Sequence, residues 1–347
     1  MSIRLALRYD MRAPAFGAPA AALYPAAVEQ CAFADGVGFD TVYMAEHHGA
    51  EDGYCPSPIV LASAIAGRTK RMSMHFSALV AVLHNPLRLA EDLAVLDVIS
   101  GGRVEMTLGI GYRQHEYDTF GIDRKRRVKI LEETIGVFMQ AWSGEEFDYQ
   151  GLRVIVRPTP VQQPHPPVYI GGSTEASAVR AAKYGDNFMP ATPDLFATFA
   201  DECRRIGRVL PPSPRPKGPL FLFVTPDPDR DWPIVAPHVM YTSNSNAEWA
   251  KERGVGATPY PPISSVDEMR GNKSFAIVTP RQCVELVETM SPDVELTLHP
   301  LMGGLDPALG SASLELFASD VLPALEASRR WVRPAPGSRS VPTGMPS

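Results

Sequence analysis

Val168-Tyr169-Ile170-Gly171-Gly172-Ser173-Thr174 runs directly into Glu175-Ala176-Ser177-Ala178-Val179-Arg180-Ala181-Ala182-Lys183-Tyr184. Val, Tyr and Ile in succession suit a buried strand, the two glycines free the backbone for a sharp turn, and the hydroxyl residues sit where a helix N-terminus wants a cap. The stretch therefore reads as one β/α step, with a strand over 168–170 and a helix over 174–184. Outward from it the same step recurs. Upstream, strands are expected at Ile3 to Leu7, Thr41 to Met44, Arg71 to Val80 and Val104 to Leu108. Each is followed by apolar residues at helical spacing: 23–36, 58–67, 86–99 and 124–142. Downstream, Phe188-Met189, Leu220 to Thr225 and Val294 to His299 supply strands, and 194–209, 280–290 and 311–325 supply helices.

Eight such steps in 347 residues, with no composition break between them, predict a single (β/α)8 TIM barrel over 1–330 rather than two doubly wound domains. Two interruptions stand out. Glu145 to Val156 alternates around Gly151 and is expected to form a hairpin insertion, and Asp227 to Asn272 is long and irregular, a lid-like insertion over the active-site face. The stretch 331–347 is rich in Pro, Gly, Ser and Arg and is expected to be a disordered tail.

Net charge of -6 argues against a nucleic-acid or anionic-membrane partner, which ordinarily demands a basic surface. Four scattered cysteines without a C-x-x-C pair indicate neither a disulfide framework nor a zinc site. With no signal segment and no membrane-length apolar run, a cytoplasmic location is expected.

In a barrel of this kind ligands bind where strands end. Past the second strand, Ala45-Glu46-His47-His48-Gly49 gathers an acid and two imidazoles, able to orient a reacting oxygen or exchange protons with it near neutral pH. The competing reading makes Glu46 a loop tie and one histidine a packed core residue. A metal site is not expected: the spacing is not H-E-x-x-H, neighbouring side chains on a strand diverge, and no further histidine or cysteine cluster completes a ligand set. The third strand ends in the small residues Ser77 and Ala78. The fourth runs into Gly109-Ile110-Gly111-Tyr112-Arg113, where glycines permit close approach of a ligand and Arg113 can reach an anion. Gly171, Gly172, Ser173 and Thr174 form either a phosphate cradle at a helix N-terminus or an ordinary N-cap; both uses stay open. Arg124, Arg126 and Arg127 are read as a solvated basic face or as phosphate partners.

Together these pieces resemble the bacterial-luciferase-like monooxygenase family. The resemblance is carried by Gly38-Phe39-Asp40-Thr41-Val42-Tyr43 before Glu46-His47-His48 and by His84-Asn85-Pro86-Leu87-Arg88. It continues through Ser100-Gly101-Gly102-Arg103, Glu116-Tyr117, Pro166-Pro167-Val168-Tyr169 and Leu298-His299-Pro300. It implies a flavin ring against Ser77 and Ala78, near a non-prolyl cis peptide, with Gly109 and Gly111 beside the ring or ribityl chain. The cofactor phosphate falls on Gly172 to Thr174, and His47 stands where such enzymes place a catalytic imidazole, with Glu46 beside it. The implied reaction is oxygenation of a small organic substrate by O2 through a flavin hydroperoxide on FMN, with reduced flavin supplied by a separate reductase. A homodimer through the helices after the second and third strands is also implied. Ile110 stands where several FMN-binding members carry arginine, so Arg113 or Arg127 is expected to meet the phosphate. The alternatives are an F420-dependent hydride-transferring oxidoreductase and a barrel that binds flavin without turnover.

Overall fold

Arg4–Tyr9 (β1), Thr41–Met44 (β2), Ser73–Leu79 (β3) and Val104–Leu108 (β4) lie side by side as parallel neighbours. The helices Ala20–Val37 (α1), Pro58–Arg68 (α2) and Pro86–Ser100 (α3) cross over between them. The coordinates are a computed structural model, which describes residues 2–252, 260–335 and 338. Local chemistry sets the helix ends. Pro58 and Pro86 occupy the first helical turn, the Asn85 side chain accepts the Arg88 N–H, and Gly38, at φ 109°, closes α1 in a conformation that side-chain-bearing residues avoid.

After β4 come Gln114–Thr119 (α4) and Arg127–Trp142 (α5), then an antiparallel hairpin of Phe147–Tyr149 (β5) and Leu152–Val154 (β6). Gln150 and Gly151 both have positive φ at its tip, as a tight hairpin turn requires. Val168–Gly172 (β7), Glu175–Tyr184 (α6), Asn187–Pro190 (β8) and Leu195–Arg205 (α7) resume the alternation. Phe221–Val224 (β9) leads into the long helix Pro228–Glu252 (α8), then Val266–Gly271 (α9), Phe275–Val278 (β10), Pro280–Glu288 (α10), Glu295–Leu298 (β11), Pro307–Leu316 (α11) and Leu322–Ala327 (α12).

The barrel wall is a curled parallel sheet in the order β11-β1-β2-β3-β4-β7-β8, with β9 and β10 forming a separate parallel pair. That pair adjoins β11 through the Gly218 N–H, which donates to the Glu295 carbonyl. Eight strands were expected, and the structure adds β10. The insertion is also not irregular. Most of it is the 25-residue α8, whose Pro233 and Pro237 argue against a helix at the level of sequence because each removes a backbone hydrogen bond. Tertiary packing offsets that cost. Trp232, Val235, Ala236 and Val239 of α8 cover Phe221, Phe223, Phe275 and Ile277 in a second, smaller apolar core. Residues 253–259 of the insertion, and 336, 337 and 339–347 of the expected tail, lie outside the described residues, while Trp331, the first residue of that expected tail, is instead buried in the main core.

Residues 307–327 form a run long and apolar enough to cross a membrane by length and composition, which the sequence reading did not anticipate. In the fold Leu314, Phe317, Val321, Leu322 and Leu325 of this run are buried in the main core.

The barrel axis is unusually polar. Tyr43, His75 and Tyr169 follow one another with ring centroids 5.2 Å apart at each step, the first pair tilted and the second stacked. His75 Nε2 lies 2.8 Å from Thr107 Oγ1, and the Tyr43 hydroxyl donates to Glu295 at 3.1 Å. Barrels of this class commonly fill the axis with branched aliphatic layers.

Candidate active site

The C-terminal ends of the strands form a mouth whose rim is partly exposed at Ser77, Ala78, Gly109, Gly171 and Gly172, while the strand residues beneath are buried. Because all the wall strands are parallel, the His47 loop, the Ser77–Ala78 ledge, the Gly109 loop and the Gly172 turn share this one end. The Ser77–Ala78 peptide is cis, as the resemblance implied. The ledge is tied on both sides: Ala78 carbonyl accepts the Glu46 N–H at 3.2 Å, and Leu79 carbonyl accepts the Gly109 N–H at 2.8 Å. A Cβ on Gly109 would stand 3.2 Å from that of Ala78, and one on Gly111, at φ 68°, would stand 2.9 Å from Val80. The glycines let the β4 loop lie against the ledge.

Glu46 and His47 do not form one acid–imidazole unit. Successive side chains diverge on extended backbone, and each finds a separate partner. His47 Nδ1 is 2.8 Å from Glu116 Oε1, on α4, and the same oxygen accepts the His48 N–H at 3.0 Å. Burial by itself would raise the Glu116 carboxyl, but the hydrogen bonds from His47 and His48 and the nearby Arg113 charge hold it below its usual range. An ionised Glu116 fixes the Nδ1–H tautomer of His47 and leaves Nε2 directed at the Tyr112 hydroxyl, 3.5 Å away.

Glu46 is 1% exposed and ties strand ends together. Oε2 accepts the Val80 N–H at 2.6 Å, and Oε1 accepts from His48 Nε2 at 2.9 Å and His84 Nε2 at 2.7 Å. Burial opposes its ionisation, but these bonds outweigh burial and hold the carboxyl down at about 2, while Glu46 raises the His84 imidazole. The ligand atoms of Glu46, His48 and His84 lie within 4.8 Å of one another, close enough to hold a metal ion. His84 is the further histidine that spacing around Glu46 did not reveal, because it arrives from the loop after β3.

Arg113 is not free at the rim. It is 8% exposed, donates to His48 carbonyl at 3.2 Å, and lies 3.7 Å from Glu116. Its guanidinium also stacks 4.0 Å over Trp249, near the end of α8, and Arg12 covers the same indole at 4.2 Å. The indole ring meets His47 edge-on with centroids 4.9 Å apart. Trp249, Glu116 and Arg12 are therefore site residues that sequence reasoning missed. Glu116 stands in the Glu116-Tyr117 pair that carries the family resemblance, but nothing there assigns it a partner, and nothing local marks Trp249.

At the β7 turn Thr174 serves as the cap of α6: its side chain accepts the Ser177 N–H, and the Ser177 hydroxyl accepts the Thr174 N–H. A Cβ on Gly172 would fall 2.0 Å from Ser177 Oγ, so this glycine is demanded by the cap itself. A Cβ on Gly171 would meet the Thr107 methyl at 2.9 Å. Ser173 is partly exposed at the rim. Arg127 donates to Arg124 carbonyl, and both cations act on Tyr117, whose hydroxyl donates to Ile110 carbonyl in the β4 loop.

A family model described as luciferase-like monooxygenase matches residues 11–291. The chain belongs to the luciferase-like monooxygenase family. Among relatives of this luciferase-like chain, the uncharacterized protein y4vJ of Sinorhizobium fredii is 29% identical over 178 residues, 50% of this chain and 51% of that protein. The oxygenase component of a flavin-dependent trigonelline monooxygenase from Acinetobacter baylyi is 24% identical over 335 residues, 88% of this chain and 91% of that one. The chain spans about half the length of y4vJ and of a second Sinorhizobium fredii relative, y4wF. Solved structures give the same fold. The oxygenating constituent of 3,6-diketocamphane monooxygenase from Pseudomonas putida, in complex with FMN, matches with a TM-score of 0.71 at 18% identity over 93% of this chain and 99% of its own. An F420-dependent secondary alcohol dehydrogenase in complex with an F420–acetone adduct matches at 0.64 and 18% identity, over 94% and 99%.

Proposed function

We propose that this luciferase-like chain is the oxygenase component of an FMN-dependent monooxygenase that acts on a small organic substrate with O2 and receives reduced flavin from a separate reductase. The observation that carries the reading is the Glu116–His47 pair: an oriented imidazole at the mouth, beside the Ser77–Ala78 ledge and under the Trp249 indole. The ledge and Gly109 fit a flat ring, because the small side chains and the glycine leave backbone where a bulkier residue would project. Gly171, Gly172 and Ser173 at the N-terminus of α6 fit the phosphate, with Thr174 contributing through the cap it forms and Arg127 proposed as the cation. Activation of O2 is the chemistry reduced flavin supplies when bound. This chain's residues exclude water, orient the ring and move a proton: Glu116 holds Nδ1–H, so His47 Nε2 is the atom that donates to or accepts from the reacting oxygen, with Tyr112 beside it.

Glu46 shapes the site by holding the ledge. The exposed Val60 of α2 and Val95, Val98 and Ile99 of α3 support a homodimer through these helices. Ile110, in place of an arginine, favours the second reading, an F420-dependent hydride transfer in the same mouth. Fluorescence titration with FMN and with F420, followed by oxygen uptake with reduced FMN, tests the proposal. Tight FMN binding and substrate-dependent oxygen uptake are expected. F420 binding without FMN binding would move the chain to the second reading, and flavin binding without any turnover would leave a non-catalytic barrel.

A further inference from the structure

Arg8 stands at the floor of the mouth with its donors largely unused. On β1 the Tyr9 hydroxyl reaches outward to Gln30 of α1, so its neighbour Arg8 points to the barrel axis. The ladder sets Arg8 opposite Tyr43, and its Nη2 donates to Ser77 carbonyl, at the ledge, at 3.1 Å. A guanidinium carries five N–H donors in a planar fork. Arg8 is partly exposed, so the donors left over face the open mouth.

Several buried or half-buried arginines near the barrel ends are matched to carboxylates, Arg12 to Asp52, Arg71 and Arg4 to Asp40, and Arg113 to Glu116, while Arg103 is filled by backbone carbonyls and the Thr69 hydroxyl. Among the described residues no carboxylate comes within ion-pair distance of Arg8. Asp10 is the acid whose field reaches it, and Asp10 is engaged by Arg12: it accepts the Arg12 N–H at 3.1 Å and lies 3.9 Å from Arg12 Nε. The remaining groups that feel the Arg8 charge are neutral phenols and imidazoles. Tyr260, Tyr54 and Tyr43 surround it electrostatically, and His75 and His299 are uncharged because burial pulls both down to about 3, reinforced by Lys217 and then Arg8 at His75 and by Arg8 at His299. A partly exposed cation whose walls carry no matching charge is best complemented by a ligand that brings a negative one.

We propose that Arg8 anchors the substrate and that the substrate is a small organic carboxylate, its charged end on the Arg8 fork and its body beside the flavin ring that the Ser77–Ala78 ledge seats. The planar carboxylate matches the fork edge to edge, which a single-point anion site does not require. The inference rests on the reading of the mouth as the flavin and substrate site, and it sharpens that reading by naming the substrate class.

The test is calorimetric titration of the purified chain, with and without FMN, using benzoate, nicotinate and hexanoate, each against its neutral amide. The acids are expected to bind roughly 10-fold or more tightly than the amides. Arg8→Gln is expected to erase that preference and Arg8→Lys to keep part of it, with folding checked by circular-dichroism melting and FMN affinity measured alongside. Equal binding of acids and amides by the wild-type chain overturns the proposal without any variant. So does a preference that survives Arg8→Gln, or a variant that loses FMN affinity while keeping the acid preference, which would assign Arg8 to the flavin. If FMN fails to bind but the Arg8-dependent preference for acids is present, the anion site stands and the flavin reading falls. If FMN binds and no preference is found, the reverse holds.

Discussion

The His47 side of the mouth and the helix α8 that covers it meet at one indole ring, yet they are built in different ways. The first is assembled by parallel strands of short, buried residues, whose ladder register brings Glu46, Ala78 and Gly109 together through backbone hydrogen bonds. The second is a helix with two internal prolines, held by its own small apolar core around Phe221, Phe223 and Trp232 and pinned to the mouth through Trp249 between Arg12 and Arg113. The difference teaches that the rim is set by local geometry and the cover by long-range packing, so the two should fail separately.

Truncation of the cores separates them most strongly. Phe76→Ala and Phe223→Ala, both at buried positions, should each cost roughly 3–5 kcal/mol. Hydrogen exchange should show Phe76→Ala loosening the whole wall, whereas Phe223→Ala first releases α8 and the β9–β10 pair. Uniform loss of protection in both variants would merge the two regions into one unit.

Glu46 tests the rim by pH. Its folded carboxyl, at about 2, lies below the ordinary value, so the folded state binds fewer protons than the unfolded one as pH falls. Its contribution is complete above the ordinary glutamate range and drains away toward about 2, amounting to on the order of 3 kcal/mol at neutral pH. Denaturant unfolding of wild type and Glu46→Gln should therefore converge on acidification from about 4.5 to 2. His84 runs the other way: raised by Glu46, it contributes below the ordinary histidine value and loses that contribution as pH rises through its raised one.

His47→Ala should leave flavin binding nearly intact and lower turnover about 100-fold or more, read by steady-state oxygen uptake. Unchanged turnover would remove His47 from the chemistry. The smallest effect belongs to the cover. Trp249→Ala removes two guanidinium–indole contacts and the edge contact to His47, for a loss of roughly 1–2 kcal/mol. The expected result is about a 10-fold rise in KM and faster exchange in the C-terminal half of α8, with the rim still protected.

Much of the rim is legible in the chain because its determinants are local. Thr41–Met44 and Val104–Leu108 end where runs of buried side chains give way to charge and glycine, and strands that end together place their next residues together. The Gly171-Gly172-Ser173-Thr174 turn is legible for the same reason, although the reason for Gly172 turns out to be the Ser177 hydroxyl. The partners were not legible. Glu116, His84 and Trp249 lie 69, 38 and some 200 residues from the groups they touch, and no spacing rule connects them. Pro233 and Pro237 hid α8, because intrinsic propensity counts the lost hydrogen bond and not the apolar face that the β9–β10 pair rewards.

The chain by itself determined the repeating strand and helix steps, the residues that follow each strand at the C-terminal end of the barrel, and the residue types available there. Those follow from side-chain periodicity and turn chemistry, which act over a few residues. Only the tertiary structure decided that His47 pairs with Glu116 rather than Glu46, that Arg113 is spent on Trp249, and that Arg8 is left with open donors. Such choices depend on which charged groups folding brings within a few ångströms of one another.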